Sequence, residues 1–321
     1  MNEYKSVKNN RKRKNKVKPN FVSSKHKSKK IVSILNTEND VVTILKADIE
    51  NDESLITTIP KEEIIVNIPV TRDYTILYED ESCLVIDKPA GVMVHPDHME
   101  RVETVSDWMG DKYPESIKID IERPGIVHRL DRDTSGCLLL IKNKQIFQVY
   151  KNEFQEHKVK KVYIAIVSGI VKNDTGIIDT PIARAKSDFR KREVKNEFTK
   201  DYRGVERDAI TRYKVIERIM PKSIESGKGG GFSVLECFPV TGRTHQIRVH
   251  LRSIRHPIIG DTLYGSKESA QLAGRQMLHA KELAFTTVFQ HKIDGEKKKK
   301  IVVEAPIPID IKETLERLRE M

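Results

Sequence analysis

The fold of this chain is constrained most by a series of short apolar runs that begins near Tyr74. Each run is rich in Val, Ile, Leu or Phe and is bounded by turn-forming residues, a pattern typical of β-strands. The predicted strands lie within residues 82–91, 136–143, 161–169, 232–240 and 299–306. Apolar residues at helical spacing predict helices over 144–158 and over 244–254, the second with Thr244 as its N-cap. Because strands and helices do not alternate regularly, we expect an α+β domain with a mixed or antiparallel central sheet, flanking helices and a central active-site cleft.

The positive charge of the chain is concentrated at its start. Residues 1–30 contain twelve Lys or Arg and one acid, Glu3, whereas residues 31–321 contain 46 bases and 46 acids. A segment so basic and so poor in apolar residues is predicted to be a disordered tail that attracts a polyanion, with RNA as the first candidate. The alternatives are a tail that serves only solubility, and a nuclear or mitochondrial address.

The folded part is expected to be one catalytic domain with a short extension before it. Residues 31–72 contain β-like runs at 41–45 and 64–70 but too few apolar residues for a core of their own. We interpret this segment as a connector or a reduced N-terminal module, and residues 73–321 as the domain that carries the activity.

Several classes of protein are disfavoured by the sequence. No apolar run is long enough to span a membrane, and the first residues lack the apolar stretch of a secretory signal. The three cysteines are far apart, and the histidines show no zinc-ligand spacing. We therefore expect a cytoplasmic monomer that contacts no membrane and needs no metal and no cofactor.

Reactive residues are concentrated in the segments 87–96, 123–143 and 239–265, among the Gly, Pro and Thr of tight turns. Asp131 lies on a turn that leads into a predicted buried strand, where a rigid scaffold can orient its carboxylate. The spacing alone gives equal weight to a simple turn-capping aspartate.

Three arginines recur at helical spacing in the last segment, at positions 248, 252 and 255. Such a stripe is typical of a solvated helix face. It is also a way in which proteins hold phosphates, by arginine forks together with backbone N–H groups at a helix start. Both interpretations remain open at this level.

Taken together, these segments resemble the RluA family of pseudouridine synthases. The resemblance extends from about Leu77 to Phe285 and rests on five blocks in the family's order. The blocks are KPAG with a following HP, HRLDRDTSG, KVYIAIVSG, TGRTHQIRVHL with HPIIGDTLYG, and a late LHA. The S4 RNA-binding domain that precedes the catalytic domain in many bacterial members is not recognisable in this sequence.

The resemblance implies the pseudouridine synthase fold and specific roles for several residues. It implies that Asp131 is the catalytic aspartate, that Tyr163 stacks on the target base and that Arg248 pairs with the aspartate. Arg129 is expected to fill the space that the flipped nucleotide leaves. The remaining expected RNA contacts are His128, Arg243, Thr244, His245 and Gln246.

The function that follows is the isomerisation of uridine to pseudouridine in RNA, most simply in large-subunit ribosomal RNA. One alternative is a tRNA pseudouridine synthase of the same family. An alternative of another class is a non-catalytic RNA-binding factor in ribosome assembly. The reaction needs an ionised carboxylate, either as a nucleophile at C1′ or as a base for the 2′ proton, and the sequence does not choose between these routes.

Overall fold

The computed structural model describes residues 30–35, 41–46, 73–96, 102–194, 202–220, 230–291 and 295–321. The chain divides into two compact units, Met1–Ile68 and Pro69–Met321. In the first unit, strands β1 (Lys30–Leu35) and β2 (Val41–Lys46) form an antiparallel pair. The predicted strand at 64–70 and residues 1–29 of the predicted disordered tail lie outside the described residues.

The second unit is built on one large sheet and one small sheet. Its strands are β3 (Thr75–Glu79), β4 (Cys83–Lys88), β5 (Ser135–Ile141), β6 (Lys160–Ser168), β7 (Thr175–Asp179), β8 (Ile182–Ala185), β9 (Arg192–Val194), β10 (Tyr202–Arg207), β11 (Ile210–Ile219), β12 (Phe232–Pro239), β13 (Leu278–His291) and β14 (Gly295–Glu304). Its helices are α1 (Val105–Lys112), α2 (Lys144–Gln155), α3 (Gln246–Ser253), α4 (Lys267–Gln271) and α5 (Ile309–Glu320), with a 3₁₀ turn at Pro114–Lys118. The predicted α+β class is confirmed, and each predicted strand and helix of this unit is present.

Within the described residues, nine strands form the large sheet in the order β3-β4-β5-β13-β6-β12-β11-β7, with β14 paired to β13. All neighbours are antiparallel except β5 and β13, which run parallel over a short stretch. The small sheet has the order β10-β8-β9. The sheet is therefore mixed, and β13 enters between two strands that precede it in sequence.

The apolar runs are continuous because the middle of the sheet is buried on both faces. Alternate residues of β5 belong to two different core clusters, with Leu139 on one face and Leu138 on the other. Helix α2 covers the first face through Tyr150, and α1 covers the second through Trp108. Strands enclosed in this way lose the simple alternation of apolar and polar residues.

Helix α3 begins one residue later than predicted, so Thr244 is not its N-cap. The N-cap is His245, which has a left-handed φ of 58° and whose side chain makes no capping hydrogen bond. The cause is a sharp turn in which the Gln246 side chain accepts a hydrogen bond from the backbone N–H of Arg243 at 3.0 Å. Thr244 is held inside this turn.

No helix of the described segments is long and apolar enough to cross a membrane.

Candidate active site

Asp131 lies on the turn that leads into β5. Its backbone carbonyl accepts a hydrogen bond from Thr134 N–H at 3.1 Å, which closes the turn. Gly136 follows with a φ of 110° and pairs with Ala280 in the parallel contact between β5 and β13. Any Cβ at Gly136 would collide with the Ala280 carbonyl, so glycine is required for this close approach. The side-chain carboxylate of Asp131, for which turn capping had equal weight in the sequence analysis, accepts a hydrogen bond from Arg248.

Arg248 joins Asp131 to a second, deeper carboxylate. Its Nη1 donates to Asp131 Oδ2 at 2.9 Å, while its Nε and Nη2 form a two-pronged contact with Asp261 at 2.7 and 2.9 Å. Arg248 and Asp261 are buried, with exposed fractions of 5% and 1%. Asp261 also accepts the backbone N–H groups of Leu263 and Tyr264, which fixes its orientation. The guanidinium can therefore present only its remaining edge to Asp131.

The pKa of Asp131 is set by a competition between burial and charge. Burial alone would raise it, but protonated His245 and the Arg248 guanidinium outweigh burial, so this pKa lies below the ordinary value. Burial lowers the pKa of His245 to about 4, so His245 is neutral at neutral pH. Arg248 is therefore the cation that keeps Asp131 ionised under working conditions.

His245 is held against Asp131 by Tyr264. Its Nδ1 lies 2.9 Å from the Tyr264 hydroxyl, and its Nε2 lies 3.9 Å from Asp131 Oδ2. The Tyr264 hydroxyl also accepts the backbone N–H of Arg192 at 2.8 Å. The Arg248 guanidinium lies 5.0 Å above the Tyr264 ring, a cation–π arrangement. The His245–Tyr264 contact thus links the start of α3 to strand β9.

Asp131 opens into a cavity of about 530 Å³. The lining contains five basic side chains, from Arg123, Arg129, Lys151, Lys161 and Arg243. Asp131 is the one acidic residue of that lining. A basic, concave site of this kind favours the binding of a polyanionic substrate. It also brings that substrate against one negative group, the Asp131 carboxylate.

Tyr163 lies on the wall of the same cavity, in β6. Its backbone is paired with Cys237 of β12 on one side and with Ala280 of β13 on the other, so its position is fixed by the middle of the sheet. Burial, reinforced by the charge of Asp131, raises the pKa of Tyr163. The hydroxyl is therefore neutral at neutral pH, and the ring offers a stacking surface next to the carboxylate.

Two further predicted residues occupy different parts of the cavity. Arg129 is exposed, and its Nη1 lies 3.1 Å from His95 Nε2. His128 accepts the Leu139 backbone N–H at 2.9 Å and stacks on Phe154 with ring centroids 4.5 Å apart. Burial lowers the pKa of His128 to about 3, so it is a neutral part of the wall. Arg129 thus remains available to a ligand, whereas one ring nitrogen and one ring face of His128 are occupied by the protein.

Arg243, Thr244 and Gln246 also line the cavity. Arg243 donates from Nε to the Asp208 carbonyl at 3.0 Å and remains partly exposed. Gln246 is buried, and its amide group makes four hydrogen bonds within the protein, to the backbone of Arg243 and Ile210 and to the hydroxyls of Thr241 and Thr211. The hydrogen-bonding capacity of Gln246 is used to hold the turn before α3, so this residue is placed to position Arg243 and His245.

The nine predicted site residues therefore gather in one place, with one difference in depth. All except Arg248 line the cavity, and Arg248 lies behind Asp131.

The most important residue that the sequence analysis missed is Asp261, although it belongs to the block HPIIGDTLYG. A buried arginine needs a buried acid, and Asp261 is the acid of that block. Among the described residues, no group of three or more His, Cys, Asp or Glu side chains could hold a metal ion.

Two basic side chains that the sequence analysis also missed, those of Lys88 and Arg275, hold the turn that carries Asp131. Lys88 is fully buried, and its Nζ donates to the carbonyls of Pro89, Val92 and Arg132 at 2.8 to 2.9 Å. Burial lowers the pKa of Lys88 to about 7, against the opposing charges of nearby carboxylates. These contacts tie the KPAG loop to the turn that carries Asp131.

Arg275 holds the other side of that turn. Its Nη1 donates to the Asp133 carbonyl at 3.1 Å and its Nη2 to the Ser135 hydroxyl at 3.2 Å. The same guanidinium forms a two-pronged contact with Asp310, in the first turn of α5, at 2.6 and 3.0 Å. Helix α5 is thus connected to the turn that carries Asp131 through the Arg275 side chain.

We expect Arg275→Lys to lower kcat by about tenfold or more with little change in KM, because a point charge cannot hold the turn and Asp310 together. Tritium release from RNA labelled at uracil C5 measures the turnover. The matched control is Arg319→Lys, which disrupts a similar contact with Glu217 (2.9 and 2.7 Å) at the other end of α5. Equal losses of kcat in the two variants would show that the effect comes from the docking of α5 and not from the turn that carries Asp131.

Comparisons with known proteins identify relatives of this chain. The family described as RNA pseudouridylate synthase matches residues 82–253. The chain is 35% identical over 273 residues to an uncharacterized RNA pseudouridine synthase, YlyB, of Bacillus subtilis, covering 85% of this chain and 82% of that protein. It is 36% identical over 281 residues to ribosomal large subunit pseudouridine synthase D of Neisseria meningitidis, covering 84% of this chain and 68% of that protein.

A solved structure with a similar fold is human RNA Pseudouridylate Synthase Domain Containing 1, with a TM-score of 0.55 and 22% identity. The match covers 78% of this chain and 96% of the human chain, and it supports the fold. The sequence matches include the turn with Asp131, the strand with Tyr163 and the helix with Arg248. The chain accordingly belongs to the RluA family of RNA pseudouridine synthases, isomerases that convert uridine to pseudouridine in RNA.

Proposed function

We propose that this enzyme modifies uridines of large-subunit ribosomal RNA in the cytoplasm, as a monomer, with Asp131 as its catalytic carboxylate. The observation that carries the catalytic assignment is the ion pair with Arg248, which keeps the largely buried carboxylate of Asp131 ionised in the lining of a basic cavity. The ribosomal assignment is supported by the name of the Neisseria relative. A tRNA substrate is the alternative within the same chemistry.

The proposed reaction breaks the bond between N1 and C1′ and forms a bond between C5 and C1′, after which the C5 proton is lost. Asp131 either attacks C1′ and holds the ribose covalently, or removes the 2′ proton to give a glycal. Both routes need the ionised carboxylate, and no redox change occurs in either.

The target base has to leave its stack before it can reach Asp131, at a cost of a few kcal/mol. We assign the recovery of part of this cost to Tyr163, since stacking of a base on an aromatic ring contributes about 1–3 kcal/mol. The neutral hydroxyl of Tyr163 makes stacking the stronger assignment than proton abstraction. We assign to Arg129 the filling of the space left by the flipped nucleotide, and its exposure at the cavity supports this role.

The substrate is tested by mapping pseudouridines in total RNA from cells with and without this chain. We expect one or a few large-subunit ribosomal positions to lose the modification and to regain it when the wild-type chain is supplied. Loss confined to tRNA would establish the alternative substrate. An unchanged map of all cellular RNA would contradict the proposed function.

A further inference from the structure

Three arginines lie side by side across the small sheet. Arg203 of β10 is directly opposite Arg184 of β8, and Arg184 is directly opposite Arg192 of β9. Residues opposite one another on antiparallel strands share a face, with Cβ atoms about 4.5–5.5 Å apart, and like charges in such pairs are destabilising. The chain therefore carries an unfavourable row of three cations on a sheet of only three strands.

In the part of the chain that the structure describes, no ion pair neutralises this row. Within the described residues, none of the three guanidinium groups forms an ion pair with a carboxylate. Arg184 and Arg203 are exposed, while Arg192 is half-buried and donates to the carbonyls of Phe189 and Lys191. Burial and the adjacent Arg184 lower the pKa of Arg192. Unbalanced charge of this kind is stabilised when an anion binds.

The row begins next to the catalytic site. Side chains two residues apart on a strand share a face, so Arg184 faces the same way as Ile182, which packs in a cluster with Tyr264. The backbone N–H of Arg192 donates to the Tyr264 hydroxyl, which contacts His245, and His245 lies 3.9 Å from Asp131. The row of three arginines thus begins at Arg192, whose backbone contacts the Tyr264 hydroxyl that holds His245. From there it extends away from the Asp131 carboxylate.

The chemistry of the row matches a nucleic-acid strand better than an acidic protein. Guanidinium groups bind phosphates through two parallel hydrogen bonds, and a row of them can follow successive phosphates. Phe189, in the connection between β8 and β9, exposes 62% of its surface and offers an aromatic ring for an unpaired base. Basic tracks with exposed aromatic rings are typical of sites for single-stranded nucleic acid.

We propose that Arg184, Arg192 and Arg203 form a phosphate track that binds the unpaired RNA strand flanking the target uridine. The track rests on the proposed function for its substrate. The track contributes to RNA affinity, whereas the residues of the cavity carry out the reaction. The strand enters the site over β9, and Phe189 stacks on one of its bases.

The test is the double variant Arg184→Gln/Arg203→Gln of the full chain. A transcript of the source organism's large-subunit ribosomal RNA, labelled with tritium at uracil C5, is assayed for tritium release and for filter binding at several salt concentrations. We expect KM and Kd to rise about tenfold or more, with kcat within twofold of wild type. The log–log salt slope should fall by roughly 0.7 for each phosphate that the protein no longer neutralises.

The matched control is Arg212→Gln/Lys214→Gln, which removes the same charge from exposed positions of β11. The track variant should unfold at or above the wild-type temperature, since repulsion between the arginines is removed, and the control variant should unfold near it. An equal loss of affinity in the two variants, or no loss in either, would overturn the track. So would a drop confined to kcat.

Failure of the proposed substrate is distinguishable from failure of the track. If the wild-type chain releases no tritium from the ribosomal transcript, the substrate assignment fails. Filter binding of the same transcript still decides the track, because it does not depend on turnover. Weakened binding of an acidic peptide with unchanged RNA binding would instead assign the surface to a protein partner and refute the proposal.

Discussion

Replacing Asp131 with asparagine should abolish isomerisation, with a loss of roughly 10³-fold or more in kcat. The amide has the same shape as the carboxylate, but it can neither attack C1′ nor accept the 2′ proton. Tritium release from RNA labelled at uracil C5 reports the loss. Because Asn can still accept one hydrogen bond from Arg248, we expect the cavity to keep its shape.

The Asp131→Asn variant should bind RNA about as well as wild type, since one negative charge is removed from a basic cavity. It should also fail to restore pseudouridines in cells that lack the chain. The matched control is Asp133→Asn, two residues along the same turn and exposed to solvent. Residual turnover of Asp131→Asn within tenfold of wild type would contradict the catalytic assignment.

Arg248→Lys should lower kcat by roughly 10²-fold or more with little effect on RNA affinity. A lysine cannot form the two-pronged contact with Asp261 and still donate to Asp131, so the carboxylate loses both its orientation and its counterion. Arg248 lies behind the cavity wall, and this is why the affinity should be spared. A loss that appears mainly in Kd would place Arg248 on the RNA backbone.

The pH dependence of the Arg248→Lys variant gives an independent readout. In the wild type, charge outweighs burial and the pKa of Asp131 is lowered. The carboxylate therefore becomes protonated only at a pH below the ordinary pKa of aspartate. Without the full guanidinium contact, burial raises this pKa, and the acid limb of the kcat profile should move to higher pH. Arg252→Lys, one turn along α3 and exposed, is the matched control and should leave the limb in place.

The sequence was sufficient for the elements whose patterns are local. Tyr163 lies in a strand and Arg248 on a helix because apolar periodicity and turn residues specify these elements over a few neighbours. The motif blocks also predicted a catalytic role for Asp131. Its pairing with Arg248, which the structure shows, was implied by family resemblance and not by spacing. The misplaced N-cap at Thr244 reflects the Gln246 amide, whose partners include β11, far away in sequence.

Long-range pairings were beyond the reach of the sequence analysis. Nothing in the local pattern shows that Asp261 holds Arg248, that Arg275 links the turn carrying Asp131 to α5, or that Lys88 is buried against that turn. The row of arginines was equally hidden, since its members are distant in sequence and meet only through the register of the small sheet. Each of these contacts depends on which strands become neighbours, and that choice is made by tertiary packing.

The insertion of β13 between β5 and β6 has a consequence for how the enzyme matures. The contact between Ser135 and His279 joins residues 144 positions apart, and such non-local pairings form late and slowly. Until Leu278 has been synthesised, the strand that follows Asp131 and the strand that bears Tyr163 have no common neighbour. The turn that carries Asp131 and the strand that carries Tyr163 are therefore joined through a common neighbour only once β13 (Leu278–His291) has been synthesised and has joined the sheet.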